Sequence, residues 1–234
     1  MKDLKNLERI AIIGIGAIMP GALNKDAFWK NIIEGRSSII EVPQDRWDWR
    51  LYYDADRSAP DKTYSKIGGF IEGFKFDPIR HRIPPQVAAH MARLQHMAIE
   101  ASVAALEDSG YHKKPFNREM VAVILGNAMG GMRKEETDLR VYKAYYNDIL
   151  SRTKAFSAMS RDSSTALLQE VDEKISSSLS VITEDTMPGE LSNVTAGRVA
   201  SVLNLNGPNF TVDAACASSM AAMEQAANGL REGH

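Results

Sequence analysis

The sequence predicts a layered α/β fold, and three features of its 234 residues point there. Two continuous apolar runs, residues 9–16 and 120–126, have the composition of strands buried on both faces. A long amphipathic helical pattern, residues 86–109, lies between them. A short β-rich run then leads into an Ala-rich helical stretch near the C-terminus. Buried strands that alternate with helices belong to this architecture.

Taken in order, residues 9–16 (RIAIIGIG) form the first expected strand. Asn24 is placed to cap a helix running through Glu34, with Phe28 and Ile32 on one face and Gly35 ending it. Residues 36–80 are rich in Asp, Pro, Tyr and Trp and read as loop. So long a loop in a compact domain is usually functional or interface-forming. Across residues 86–109, Val87, Met91, Leu94, Ala98, Ala101 and Ala105 make one apolar stripe, and Gly110 suits its stop. Residues 120–126 (MVAVILG) are the second buried strand. Residues 133–180 read as irregular helix with a polar, Ser-rich stretch from 157 to 180. Residues 190–203 read as a helix packed before the last strand. Gly207, Pro208 and Asn209 turn into that strand, and helix follows from Ser218 to about Gly229.

Composition sets further bounds. Hydrophobic residues make up 44% and charged residues 25%, the balance of an ordinary globular protein. A net charge of −2 gives no reason to expect a nucleic-acid or anionic-membrane partner. The N-terminus lacks the apolar core of a signal peptide, and no run approaches the ~18 apolar residues that span a membrane. The single cysteine excludes an internal disulfide and any multi-thiolate metal site, and a reduced cytoplasmic setting fits it. With no repeat and no clear linker, residues 1–234 are expected to be one domain with no second.

Several motifs invite a functional reading. Gly14-Ile15-Gly16 follows a strand, but Met19 stands where the dinucleotide fingerprint needs a small residue, and no acidic residue closes a second strand at the required distance. A tight strand exit is the better reading. Gly126-Asn127-Ala128-Met129-Gly130-Gly131 lacks the Lys-Ser/Thr of a phosphate-binding loop, so close backbone packing is expected there. His90 and His96 stand six apart, not the three or four that put two metal ligands on one helical face. His81, His112 and His234 stand alone, and no metal is expected. Glu135-Glu136 and Asp172-Glu173 read as solvated helix faces. Trp47, Trp49, Tyr52 and Tyr53 could stack on a ligand, although such clusters more often anchor a loop.

Cys216 is the strongest candidate. A thiol at a strand-to-helix junction lies at the positive end of a helix dipole, which favours the thiolate. On position alone, a small buried thiol fits equally well. Its neighbours Ala214, Ala215, Ala217, Ser218 and Ser219 leave room for a substrate carbonyl and leave backbone N–H groups unobstructed.

At these residues the chain resembles a known family. Residues 193–201 (NVTAGRVAS), 206–209 (NGPN) and 212–219 (VDAACASS) are similar to the nucleophile region of β-ketoacyl synthases. The likeness extends to residues 10–14 (IAIIG), 42–47 (VPQDRW), 62–64 (KTY), 68–70 (GGF) and 105–110 (ALEDSG), which resemble the modular type of polyketide synthases. Ile83-Pro84-Pro85 replaces the usual Met-Asp-Pro-Gln-Gln-Arg stretch and resembles the synthases of polyunsaturated fatty acid assembly lines. Ala214 and Ala217 stand where Thr and Ser are common.

The resemblance implies a thiolase-like layered α/β/α fold of which only the N-terminal half is present. It implies that Cys216 is the catalytic nucleophile, taking an acyl group from a phosphopantetheine thioester on an acyl carrier protein. A malonyl-type extender then loses carbon dioxide, and its carbanion attacks the acyl-enzyme. No permanently bound cofactor is implied. Two histidines and one oxyanion-hole donor belong to the other half, so this chain is expected to be a fragment that exposes apolar surface and does not condense alone. A homodimer contact through residues 209–213 is implied as well. A different class of function, a non-catalytic half-domain that docks a carrier protein or a partner subunit, stays open beside this one.

Overall fold

A computed structural model of the chain describes residues 9–128 and 132–233. These fall into two compact units, residues up to 76 with 99–116, and residues 77–98 with 117 onward.

In the first unit, helix α1 (Lys25–Ile33) forms as its sequence predicts. The Asn24 side chain accepts the Ala27 N–H at 2.8 Å, and Gly35, at φ +63°, ends the helix. The region expected to be loop contains a hidden strand pair. Strand β1 (Ile39–Glu41) runs antiparallel to β2 (Ile67–Gly69), with Ile39 opposite Gly69 and Glu41 opposite Ile67. Each strand has three residues and no tight turn joins them, so neither periodicity nor turn chemistry marked them. Lys66 bridges to Glu41 at 2.8 Å and lies 4.6 Å from the centre of the Trp49 ring, while Trp47 and Tyr52 stack at 5.2 Å. The aromatic cluster thus anchors its own loop.

The strand expected over residues 9–16 is not formed. A strand requires a hydrogen-bonded neighbour, and no described strand pairs with this segment. Ile12 and Ile13 are 73% and 62% exposed. The two glycines do mark a close approach. A Cβ at Gly16 would stand 1.9 Å from the Ala101 carbonyl oxygen, and one at Gly14 2.2 Å from that of Ala105. Both carbonyls belong to helix α3 (Arg93–Asp108), whose residues from Ile99 onward lie in this unit. Asp108 accepts the Ile15 N–H at 2.9 Å and pairs with Lys25 at 2.7 Å. The bond from Lys25, then that from Ile15, holds its carboxyl below the usual carboxylate range.

The second unit carries the α/β layers. The single helix expected over residues 86–109 is two, α2 (Pro85–His90) and α3. At the break, Met91 is extended (φ −70°, ψ 137°) and the Ala92 N–H donates to the Gly189 carbonyl at 2.7 Å. A bond to a distant residue here overrides a continuous apolar stripe. Gly110, at φ +74°, stops the chain after α3 as expected.

Strand β3 (Val123–Gly126) is shorter than the run that predicts it, because Arg118–Met120 forms a 3-10 turn. Helices α4 (Met132–Ser151), α5 (Lys154–Ser157), α6 (Arg161–Ser178), α7 (Thr186–Glu190) and α8 (Ser192–Leu203) follow. The Ser-rich stretch is largely the regular helix α6, capped by Ser160 through the Ser163 N–H at 3.2 Å. Asp172 is not simply a solvated charge, since it joins α6 to α4 through Asn147 at 2.7 Å and Lys143 at 3.2 Å. Glu136 likewise pairs with Arg133.

Strand β4 (Asn209–Val212) returns parallel to β3, Val123 opposite Asn209 and Gly126 opposite Val212, and leads to helix α9 (Ser218–Glu232). Thr211 donates to the Ser192 carbonyl at 3.1 Å, which ties α8 to one face of the pair. Buried Thr195, Ala196, Val199 and Ala200 make α8 the core of the unit. Helix α9 covers the other face, where Ile124, Phe210 and Leu230 border a cavity of about 680 Å³. This is the layered α/β/α order that the resemblance implies. No described helix is long and apolar enough to cross a membrane.

Two glycines give opposite expectations. A Cβ at Gly189 would lie 1.9 Å from the His90 carbonyl oxygen. Gly189→Ala should therefore cost about 2–3 kcal/mol, seen as a lower urea midpoint. Gly229 lies inside α9 with nothing within 4 Å of a Cβ placed there. Gly229→Ala should stabilise by about 0.5–1 kcal/mol in the same assay.

Candidate active site

The parallel pair β3/β4 places the carboxyl ends of two strands side by side, the position where open α/β sheets build their sites. Register is locked at this end. The Asn127 N–H donates to the Val212 carbonyl at 3.1 Å, and its side chain donates to Ser192 Oγ at 2.7 Å. At the opposite end, the Val123 N–H donates to the Pro208 carbonyl at 2.9 Å. A Cβ at Gly207 would stand 2.6 Å from the Val121 carbonyl oxygen, so only glycine allows β4 to enter there.

The chain leaves β4 through a turn that no ordinary loop would adopt. Ala215 has φ +49°, a left-handed conformation that costs an alanine roughly 1–2 kcal/mol. Three side-chain bonds hold it. Asp213 Oδ1 accepts the Ala215 N–H at 2.9 Å. Ser218 Oγ accepts the Ala214 N–H at 3.0 Å and donates its own proton to the Ala215 carbonyl at 2.6 Å. Ser218 is 5% exposed, so this hydroxyl answers two backbone groups away from water. Residues Ala215–Ala217 close a 3-10 turn, and α9 starts at Ser218. A Cβ at Gly126 would stand 2.4 Å from the Ser218 carbonyl carbon, so the end of β3 presses directly on the start of α9.

Cys216 rides on this turn, two residues before α9, and its side chain is exposed. The buried-thiol alternative therefore does not hold. The arrangement offers an accessible sulfur among alanines, on a backbone fixed from both sides. Asp213, Ser218 and Gly126 were not singled out as site residues by the sequence. Asp213 carried a usable signal, since an Asp two residues before a small residue commonly forms a local turn. The close backbone packing expected at Gly126 is found, against Ser218, although no local signal names that partner.

The other candidates lie elsewhere. His96 Nε2 shares a hydrogen bond with the Ala88 carbonyl at 3.1 Å. Burial holds its pKa below the ordinary 6.5; the Ala88 bond opposes this, and Arg198, Arg133 and Arg93 add to it. His90 meets Thr183 Oγ1 at 3.5 Å. Among the described residues, no group of three His, Cys, Asp or Glu side chains could hold a metal ion. Residues Gly130 and Gly131 fall outside the described residues.

Comparison with known proteins adds a second line of observation. A family model described as β-ketoacyl synthase, N-terminal domain, matches residues 7–234. Polyketide synthase PksN of Bacillus subtilis (strain 168) is 33% identical over 227 residues, which are 97% of this chain and 3% of that protein. One subunit of the polyunsaturated fatty acid synthase of a Thraustochytrium species is 30% identical over 225 residues, 96% of this chain and 8% of that protein. The ketosynthase from module 6 of the bacillaene synthase of Bacillus subtilis 168 aligns with a TM-score of 0.62 and 25% identity, over 95% of this chain and 29% of that one. The oxazolomycin ketosynthase domain OzmH KS7 of Streptomyces albus JA3453 aligns with a TM-score of 0.67 at 24% identity, a likeness of fold, over 95% of this chain and 32% of that one. The chain thus spans less than a tenth of these two curated relatives and about a third of the solved ketosynthases.

Two expectations follow from the geometry. Ser218→Ala leaves the Ala214 N–H and the Ala215 carbonyl unanswered, and should cost about 1–3 kcal/mol in urea unfolding while altering the rate at which iodoacetamide alkylates Cys216. His96 titrates below its unfolded value, so the unfolded chain binds more protons as pH falls through 6.5. Its contribution is present above that pH and is lost as pH falls below it. The melting temperature should drop between pH 7 and pH 5.5, and His96→Gln should flatten that slope.

Proposed function

The chain belongs to the β-ketoacyl synthase family, as its N-terminal domain, and from that membership we propose that Cys216 is the acyl-accepting nucleophile of a condensing enzyme. Residues 1–234 are read as one part of a single thiolase-fold domain, since the family match runs through both compact units. The observation that carries the proposal is the exposed Cys216 thiol on a pinned, left-handed turn outside the carboxyl ends of parallel strands. A nucleophile presented this way needs no rearrangement to meet a thioester.

The chemistry is thiol exchange followed by condensation. The Cys216 sulfur attacks the carbonyl carbon of an acyl group carried on phosphopantetheine. A new S–C bond forms, the old one breaks, and the pantetheine thiol leaves with a proton. A malonyl-type extender on an acyl carrier protein then loses carbon dioxide, and its carbanion attacks the acyl carbon. The β-ketoacyl thioester departs on the carrier and Cys216 is restored. Splitting one hard condensation into two thioester steps is the gain of covalent catalysis. The histidines that the resemblance assigns to decarboxylation belong to the half of the fold outside these residues. Residues 1–234 alone are therefore read as able to accept an acyl group and unable to extend it. The partner is an acyl carrier protein and the setting a reduced cytoplasm. A polyketide or polyunsaturated fatty acid assembly line is the pathway class, supported by relatives of both kinds.

Incubation with an acyl-carrier thioester should add one acyl mass to the chain, and Cys216→Ala should abolish the adduct. No β-keto product should appear with the chain alone. Absence of any adduct while the carrier still binds Cys216→Ala would favour the docking half-domain instead.

A further inference from the structure

Gln95, on helix α3, is one of the largest fully buried side chains, with 0% exposure. That burial is complete within these residues, so no further chain is needed to produce it. A buried amide donor has to be answered. Here Nε2 donates to the Pro188 carbonyl at 3.0 Å and to the Leu191 carbonyl at 3.4 Å. These carbonyls flank the junction of α7 and α8. A single extended residue, Leu191 (φ −72°, ψ 127°), ends the first helix and starts the second, and no side chain caps α8 there. The junction is held from α3 instead. The Ala92 N–H, just before α3, donates to the Gly189 carbonyl at 2.7 Å, so bonds from this segment reach residues 188, 189 and 191.

The next residue is Ser192. Its hydroxyl accepts the Asn127 side-chain N–H at 2.7 Å, and its carbonyl accepts the Thr211 hydroxyl at 3.1 Å. Asn127 follows β3 and Thr211 lies in β4, and the Asn127 N–H donates to the Val212 carbonyl at 3.1 Å. Asp213, which holds the turn at Ala215, comes one residue later. A line of hydrogen bonds and adjoining peptides therefore runs from Gln95 to the backbone that presents Cys216. We propose that Gln95 is a positioning residue for acyl transfer at Cys216, acting through Ser192. This rests on the reading of Cys216 as the acyl acceptor. The amide is the chemistry that the place demands. A methionine of similar size leaves both carbonyls without this donor, and an ionised glutamate turns a carboxylate toward them. Either change frees the junction to shift Ser192, and with it the ends of both strands. A displacement of about 1 Å at reacting groups can cost about a hundredfold in rate.

Acylation of the chain by hexanoyl-pantetheine, followed by intact mass over a range of thioester concentrations, tests it. Gln95→Met should lower the maximal acylation rate about tenfold and leave the half-saturating concentration within about twofold. Gln95→Glu, which keeps the shape of the amide, should do the same and serves if the methionine variant does not fold. Alkylation of Cys216 by iodoacetamide needs only an accessible thiolate and should stay within about twofold of the unaltered chain. Ser192→Ala should give the same signature, and combining it with Gln95→Met should cost little further rate, because both lie on one route. An unaltered chain that takes no acyl group overturns this proposal together with the reading beneath it. An acylated chain whose Gln95 variants keep the full maximal rate overturns this proposal alone. So do variants that lose acylation and alkylation in parallel, as a merely structural residue would, or losses that multiply when Ser192→Ala is added.

Discussion

The close approach of two backbones, at the end of β3 and the start of α9, is the constraint on which the site depends. Gly126 lies so near Ser218 that a Cβ there would overlap main-chain atoms. That contact fixes where α9 begins. The start of α9 places the Ser218 hydroxyl, and the hydroxyl holds the left-handed turn that presents Cys216. A larger residue at position 126 would push α9 away, and the turn would lose the bonds that offset its strain. The exposed thiol therefore depends on sheet packing as well as on the local bonds of Asp213 and Ser218.

The layers around the pair serve this arrangement. Helix α8 buries small side chains against one face, and Ser192 at its first turn takes bonds from Thr211 and Asn127. The end of the sheet that carries Cys216 is thereby pinned from both strands. Gly207 does similar work at the other end, where β4 enters against Val121. Apolar side chains remain exposed in both units, Ile12 and Ile13 in one and Met220 in the other.

Much of this was legible in the residues, and the exceptions share a cause. Asn24, Gly35 and Gly110 mark helix ends by local chemistry, and the structure follows them. Residues 207–229 read as a turn, a strand and a helix around one thiol. The break between α2 and α3 was invisible because it is made by the Gly189 carbonyl, remote in sequence. The β1/β2 pair was invisible because three-residue strands have no measurable period. Residues 9–16 are apolar enough for a strand, yet composition supplies no pairing partner. Local signals survive in a sequence, whereas pairings between distant segments do not.

We propose that this geometry makes Cys216 the acceptor of pantetheine-borne acyl groups. The most direct test is an acyl carrier protein loaded with an electrophilic pantetheine, cross-linked to the chain and mapped by peptide mass spectrometry. Attachment at Cys216, reduced when Gly126 is replaced by valine, is the result expected. Attachment at another residue, or at Cys216 with no dependence on Gly126, would contradict it.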